Sequence, residues 1–218
     1  MAARDIPPLA LTMGEPAGIG PEITLKAWAG GRNAPLTPFF AIGDTALYLD
    51  TARRIGLDCD IREIGDPAET NGLFPDALPV LPVALATPAE PGRLAPENAL
   101  AVIRAIDLAA DLALAGKVGG IATNPIHKRA LYDAGLSVPG HTEYLAARCG
   151  GMTPVMMLSC PGLRVVPVTV HLALREAAAA LTGDAIVEQG AILARSLTSD
   201  FGIAHPRIAV AALNPHAG

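Results

Sequence analysis

Three of the five histidines stand directly after strand-like or turn segments, and two of them follow strands, where an α/β protein builds a site. His141 lies in Pro139-Gly140-His141-Thr142-Glu143, His171 follows the apolar run from Val165 to Val170, and His216 follows the run from Ile208 to Leu213. Function in such folds collects at the carboxyl ends of strands. Neutral imidazole is the commonest side-chain metal ligand, and a site built from distant loops needs no short HxxxH spacing. Each histidine reads either as a ligand or as a loop residue bonded to backbone. His127 and His205 lack such a setting, and His205 is read as structural.

Two further segments suit anion chemistry. Pro139 to Glu143 opens a predicted helix, whose first N–H groups, with His141 and the Thr142 hydroxyl, can hold an anion. The same residues also fit a ligand-free cap, with Thr142 at the N-cap and Glu143 in the first turn. Lysine is scarce, occurring only as Lys26, Lys117 and Lys128. Lys128, in Asn124-Pro125-Ile126-His127-Lys128, stands just past a predicted strand. There it either contacts an acidic substrate, stabilises an oxyanion, or is simply solvated. The turn Gly14 to Gly20 fits neither GxGxxG nor a Walker loop, since no Lys-Ser/Thr pair follows. Its glycines either admit a ligand against the backbone or make a tight turn.

The elements that must position these residues alternate. Strands are expected at Leu9–Met13, Pro38–Ile42, Asp60–Ile64, Leu78–Ala84, Val118–Ala122, Val155–Ser159, Leu163–Thr169 and Arg207–Leu213. Helices are expected from Pro21 to about Ala29, from Asp44 as cap to Gly56, from about Pro96 to Ala115, over Thr142–Cys149 and over Asp184–Leu197. Residues 65–77 and 86–96, rich in Pro, Gly and acidic groups, are expected as surface loops. The pattern predicts an α/β fold with a largely parallel sheet.

Composition narrows the function classes. Hydrophobic residues make up 51% of the 218 and charged residues 17%, which excludes intrinsic disorder. A net charge of −5 gives no basic stripe for nucleic acid. The most apolar stretch, from Ala99 to Ala115, is interrupted by Arg104, Asp107 and Asp111 and is too short and too charged to span a membrane. Cys59, Cys149 and Cys160 are scattered, without CxxC spacing, which argues against a disulfide framework. A soluble cytoplasmic protein is expected.

Taken together and in order, four segments strongly resemble the 4-hydroxythreonine-4-phosphate dehydrogenase family of vitamin B6 biosynthesis. They are Gly14-Glu15-Pro16-Ala17-Gly18-Ile19-Gly20-Pro21-Glu22, Asn124 to Lys128, Pro139 to Glu143, and Leu213-Asn214-Pro215-His216-Ala217-Gly218; Val168-Thr169-Val170-His171-Leu172 matches a further family position. The resemblance implies a three-layer α/β/α fold like isocitrate and isopropylmalate dehydrogenases, with two domains, a cleft between them, and a homodimer with its site at the interface. The first domain would span residues 1–124 and the second 125–218, with the dimer contact in the second. It implies oxidation and decarboxylation of 4-phosphooxy-L-threonine to 3-amino-2-oxopropyl phosphate, using NAD or NADP and a divalent cation (zinc, magnesium or cobalt). By motif, His171 and His216 would bind metal, and His141 and Thr142 would bind substrate. Lys128 is carried as a catalytic candidate.

Family members also carry, beyond the point matching Gly218, a third metal histidine, further substrate-binding residues and most of the dinucleotide surface. The active enzyme is therefore expected to be longer than 218 residues. Rival readings are a paralogue acting on D-threonate or D-erythronate 4-phosphate, a relative acting on aromatic cis-diols, and a non-catalytic truncated form.

Overall fold

The computed structural model describes residues 7–31, 36–135 and 140–212. The chain forms two compact units, residues 1–152 and 153–218.

In the first unit, β1 (Leu9–Thr12) leads through the glycine turn into α1 (Gly20–Gly31). Pro21 falls in the first helical turn, where its missing N–H is not needed. Next come β2 (Phe39–Gly43) and α2 (Thr45–Ile55). Asp44 caps α2: its carboxylate accepts the Leu47 N–H at 3.1 Å, while its other oxygen accepts the Leu85 N–H at 2.9 Å. Gly56 ends the helix in the left-handed region, donating its N–H back to the last turn.

β3 (Ile61–Glu63), α3 (Thr70–Leu73) and β4 (Leu78–Pro82) follow, then α4 (Ala99–Leu114) and β5 (Gly120–Thr123). Residues 65–77, expected as loop, instead hold a 3-10 turn at Pro67–Glu69 and α3. The physical reason is a capping box, in which Asp66 accepts the Ala68 N–H and Glu69 reaches back to the Gly65 and Asp66 N–H groups.

The five strands are all parallel, in the order β3-β4-β2-β1-β5. Chain progress from β1 to β2 to β3 runs to one side of β1, and β4 to β5 crosses to the other. Crossovers are right-handed, so α1 and α2 cover one face and α4 the other, giving three α/β/α layers. All five residues of β2 are buried, as a strand covered on both faces requires. Trp28, Tyr48, Phe40, Ile42 and Leu78 are fully buried at the centre, each contributing about 1.5–3 kcal/mol of burial. The strand order reverses between β1 and β5, which makes the crevice at their carboxyl ends the place where a doubly wound sheet binds its ligands.

The first unit ends with α5 (Lys128–Asp133) and α6 (His141–Arg148). Leu131 packs with Ala99, Val102 and Ile106 of α4 in a second apolar cluster, which Tyr144 and Leu145 join from α6.

The second unit holds β6 (Leu158–Cys160) and β7 (Leu163–Val165), an antiparallel ribbon, then α7 (Leu174–Ala180) and α8 (Gly183–Ser199). Here the expectations need correction. Buried strands over Val155–Ser159 and Leu163–Thr169 are in fact two three-residue strands with every residue exposed. Residues 207–212 of the expected last strand carry no strand; Leu213 lies outside the described residues. Apolar runs such as these predict burial. Among the described residues of this unit only Leu197 is buried, so nothing in it covers those runs.

Candidate active site at the carboxyl ends of the central strands

Two loops leave the sheet at the reversal point and are locked together. The Asn124 side chain, just past β5, is 4% exposed and donates from Nδ2 to Thr24 Oγ1 of α1 at 2.8 Å. Thr24 in turn donates to the Gly20 carbonyl at 2.9 Å. The Glu15 N–H donates to the Pro125 carbonyl at 2.8 Å. Gly14 has φ +70, and a Cβ there would stand 2.6 Å from the Pro125 carbonyl oxygen and 2.7 Å from Asn124 Cβ. Glycine at 14 is therefore demanded twice, by conformation and by space. Gly14 and Gly20 of the turn serve this close approach to the Asn124 loop.

Glu15 is nearly buried, and its carboxylate accepts the Ala17 N–H at 3.1 Å. The Ala17 carbonyl accepts the Gly92 N–H at 2.8 Å, which ties the β4–α4 loop to the same corner. Sequence reasoning missed Asn124 as a structural centre. Its position directly after an apolar strand was the available signal.

Past Asn124 the chain reaches Lys128 at the start of α5, then α6. Gly140 is the N-cap of α6, with φ 174, and no side chain caps the helix. The alternative with Thr142 as N-cap is thus not formed: Thr142 lies inside the helix and is exposed. A Cβ on Gly140 would lie 2.8 Å from Glu143 Oε2 and 3.8 Å from Lys128 Nζ. Lys128 is therefore brought to the mouth of α6. His141 Nε2 is buried with no hydrogen-bond partner among the described residues, and burial lowers the pKa of the ring below its usual 6.5. A buried polar atom left unpaired is uncommon and calls for a ligand or a water.

The structure thus gathers Lys128, His141, Thr142 and the Glu143 carboxylate at one helix end that no side chain caps. Partial positive charge there suits an anion.

His171 lies in the second unit. It is exposed and is the one non-glycine among the described residues with positive φ, 56°. A histidine held there is the kind of backbone feature found at functional sites. His216 lies outside the described residues. Among the described residues, no three His, Cys, Asp or Glu side chains converge. The described residues do not by themselves make a metal site. No helix among the described residues is long and apolar enough to cross a membrane.

A doubly wound parallel sheet with helices on both faces defines a three-layer α/β protein. A family profile described as pyridoxal phosphate biosynthetic protein PdxA matches residues 35–218, and the chain belongs to that family. A 4-hydroxythreonine-4-phosphate dehydrogenase of Caulobacter vibrioides is 46% identical over 217 residues, covering 97% of this chain and 64% of the relative. Its counterpart in Bradyrhizobium diazoefficiens is 45% identical over 229 residues, covering 100% and 66%. Among solved structures, a 4-hydroxythreonine-4-phosphate dehydrogenase from Burkholderia phymatum superimposes with a TM-score of 0.89 at 31% identity, covering 98% of this chain and 64% of that one. A terephthalate 1,2-cis-dihydrodiol dehydrogenase from Burkholderia xenovorans superimposes with a TM-score of 0.60 at 28% identity, covering 96% and 62%. The chain spans just under two thirds of the length of these relatives.

Proposed function

We propose that this chain is part of a 4-hydroxythreonine-4-phosphate dehydrogenase, which oxidises the secondary alcohol of 4-phosphooxy-L-threonine with NAD or NADP. The resulting β-keto acid loses carbon dioxide to give 3-amino-2-oxopropyl phosphate. The observation that carries this reading is the uncapped start of α6, with the unpartnered Nε2 of His141 and with Lys128 beside Gly140. It is a ready place for the substrate's phosphate. The names of the relatives supply the rest.

In this reading the phosphate oxygens accept from the first N–H groups of α6, from the Thr142 hydroxyl and from His141. Lys128 adds charge from α5. We assign Lys128 to the phosphate, ahead of a role at the reacting carbon, because it lies against the helix mouth. Holding the phosphate fixes the carbinol carbon at a set distance from the nicotinamide, which converts binding energy into orientation. A bound nicotinamide dinucleotide would supply the hydride acceptor for this oxidation.

The same reading includes a divalent cation (zinc, magnesium or cobalt) with His171 and His216 among its ligands. It also includes a cytoplasmic homodimer with its site at the interface, and a two-domain fold with a cleft, residues 1–124 forming the first domain and 125–218 the second.

The test uses the full-length protein. His141→Ala should raise KM for the phosphorylated substrate by roughly 10- to 100-fold, the range for losing a hydrogen bond to a charged group. KM for the dinucleotide should not change. An equal rise in both overturns the phosphate assignment. Turnover on D-erythronate 4-phosphate in preference to 4-phosphooxy-L-threonine would move the protein to the sugar-acid branch.

A further inference from the structure

Helix α6 carries the proposed phosphate contact, yet it is only eight residues long and none of them is buried. A helix this short is not stable alone. Its apolar anchorage is the contact of Tyr144 and Leu145 with the α4–α5 cluster. Apolar contact is non-directional and leaves such a helix able to slide along its axis.

A polar ladder opposes that slide. The Tyr144 hydroxyl donates to Asp107 Oδ1 at 2.8 Å. Arg148 Nε stands 3.3 Å from the same oxygen, and the Arg148 guanidinium also bonds Asp111. Asp107 and Asp111 lie one turn apart on α4, and Tyr144 and Arg148 one turn apart on α6. One turn is about 5.4 Å of rise, so a slip along the axis breaks every rung together. Tyr144 is three residues after His141 and shares its side of the helix, so any slip of Tyr144 is passed to His141.

We infer that Asp107, Asp111, Tyr144 and Arg148 are positioning residues that set the axial register of α6 and so place His141 for the substrate's phosphate. The inference rests on the reading of α6 as the phosphate-binding element. Tyr144 stays a protonated donor throughout the working range, since burial, then Asp107, pushes its phenol up to about 12. About a third of each of the Arg148 and Asp107 side chains remains exposed, so their rung is only partly shielded from solvent, and Asp111, more exposed, forms the weaker rung.

The experiment compares Tyr144→Phe, Asp107→Asn, Arg148→Ala and Arg148→Lys in the full-length protein. Tyr144→Phe keeps the ring and its apolar contacts and removes one hydroxyl. It should raise KM for the phosphorylated substrate by about 3- to 10-fold, with kcat and dinucleotide KM unchanged. The double variant Tyr144→Phe/Asp107→Asn should be less than multiplicative, because Asp107→Asn weakens, by loss of charge, the same rung that Tyr144→Phe removes. Arg148→Lys should recover part of what Arg148→Ala loses. A lowered melting temperature with substrate KM unchanged overturns the inference, as does a proportional change in kcat and both KM values. If His141→Ala leaves substrate KM unchanged, the phosphate reading fails. If His141→Ala raises it and Tyr144→Phe does not, only the ladder fails.

Discussion

Gly14 and Gly56 form a matched pair for testing whether the two loops at the sheet's reversal point are locked. Their φ angles are nearly the same, +70 and +67. They differ in space: a Cβ on Gly56 meets nothing within 4 Å, whereas one on Gly14 meets Pro125 O at 2.6 Å, Asn124 Cβ at 2.7 Å and the Asn124 carbonyl carbon at 2.9 Å. Alanine in the left-handed region costs about 1–2 kcal/mol at either site. At Gly14 the added methyl also overlaps backbone that cannot move without disturbing β5, for about 1–3 kcal/mol more. Gly56→Ala should therefore destabilise by about 1–2 kcal/mol and Gly14→Ala by about 2–5 kcal/mol. Trp28 is the single tryptophan and is fully buried in the first unit, so its fluorescence in a urea titration reports that unit's unfolding. Equal destabilisation by the two substitutions, within about 0.5 kcal/mol, would refute the claim that the β1 and β5 loops are packed against each other.

Two further outcomes are expected. Thr24→Val should cost about 1–3 kcal/mol, since it strands the buried Asn124 amide N–H, and Asn124→Ala about 0.5–1.5 kcal/mol, since the Thr24 hydroxyl keeps its bond to the Gly20 carbonyl; the double variant should cost clearly less than their sum, read by the same titration. For His141, burial lowers the folded pKa below 6.5. Between that lowered value and 6.5 the unfolded chain binds a proton that the folded chain does not, so this contribution makes stability fall as pH drops through the window and level off below it. His141→Gln should flatten that part of the stability–pH curve, and an unchanged slope between wild type and variant would count against a buried neutral ring.

Local signals were legible in the sequence where chemistry is short-range. The Asp44 cap, the Gly56 stop, Pro21 in a first turn and the buried parallel strands each follow from one or two residues and their neighbours. The Asp66–Glu69 capping box was also short-range, but Pro and Gly around it masked it as loop. Long-range features were not legible. Nothing near Asn124 announces Thr24, a hundred positions away, and nothing near Tyr144 announces Asp107, which lies on another helix. The second unit shows the opposite failure. Leu158, Leu163 and Val165 have strand-like character, yet apolar runs state a preference for burial without stating what does the covering. The site was half legible: Lys128, His141 and Thr142 were singled out from residue type and place, but Gly140 at the cap position and the uncapped helix start emerge only from the backbone.

The register of β1 also carries a cost during synthesis. Leu9 to Thr12 pair with Phe39 to Ile42 on one edge, and with Gly120 to Thr123 on the other. The first partner is made almost at once; the second is translated about 110 residues later. At ~5–20 residues per second the other edge of the central strand stays open for roughly 5–20 seconds on the ribosome. An unpaired apolar edge is a template for pairing with another chain. β5, which leads into the loop held by Asn124, thus also closes the strand edge on which a nascent chain is most open to misassembly.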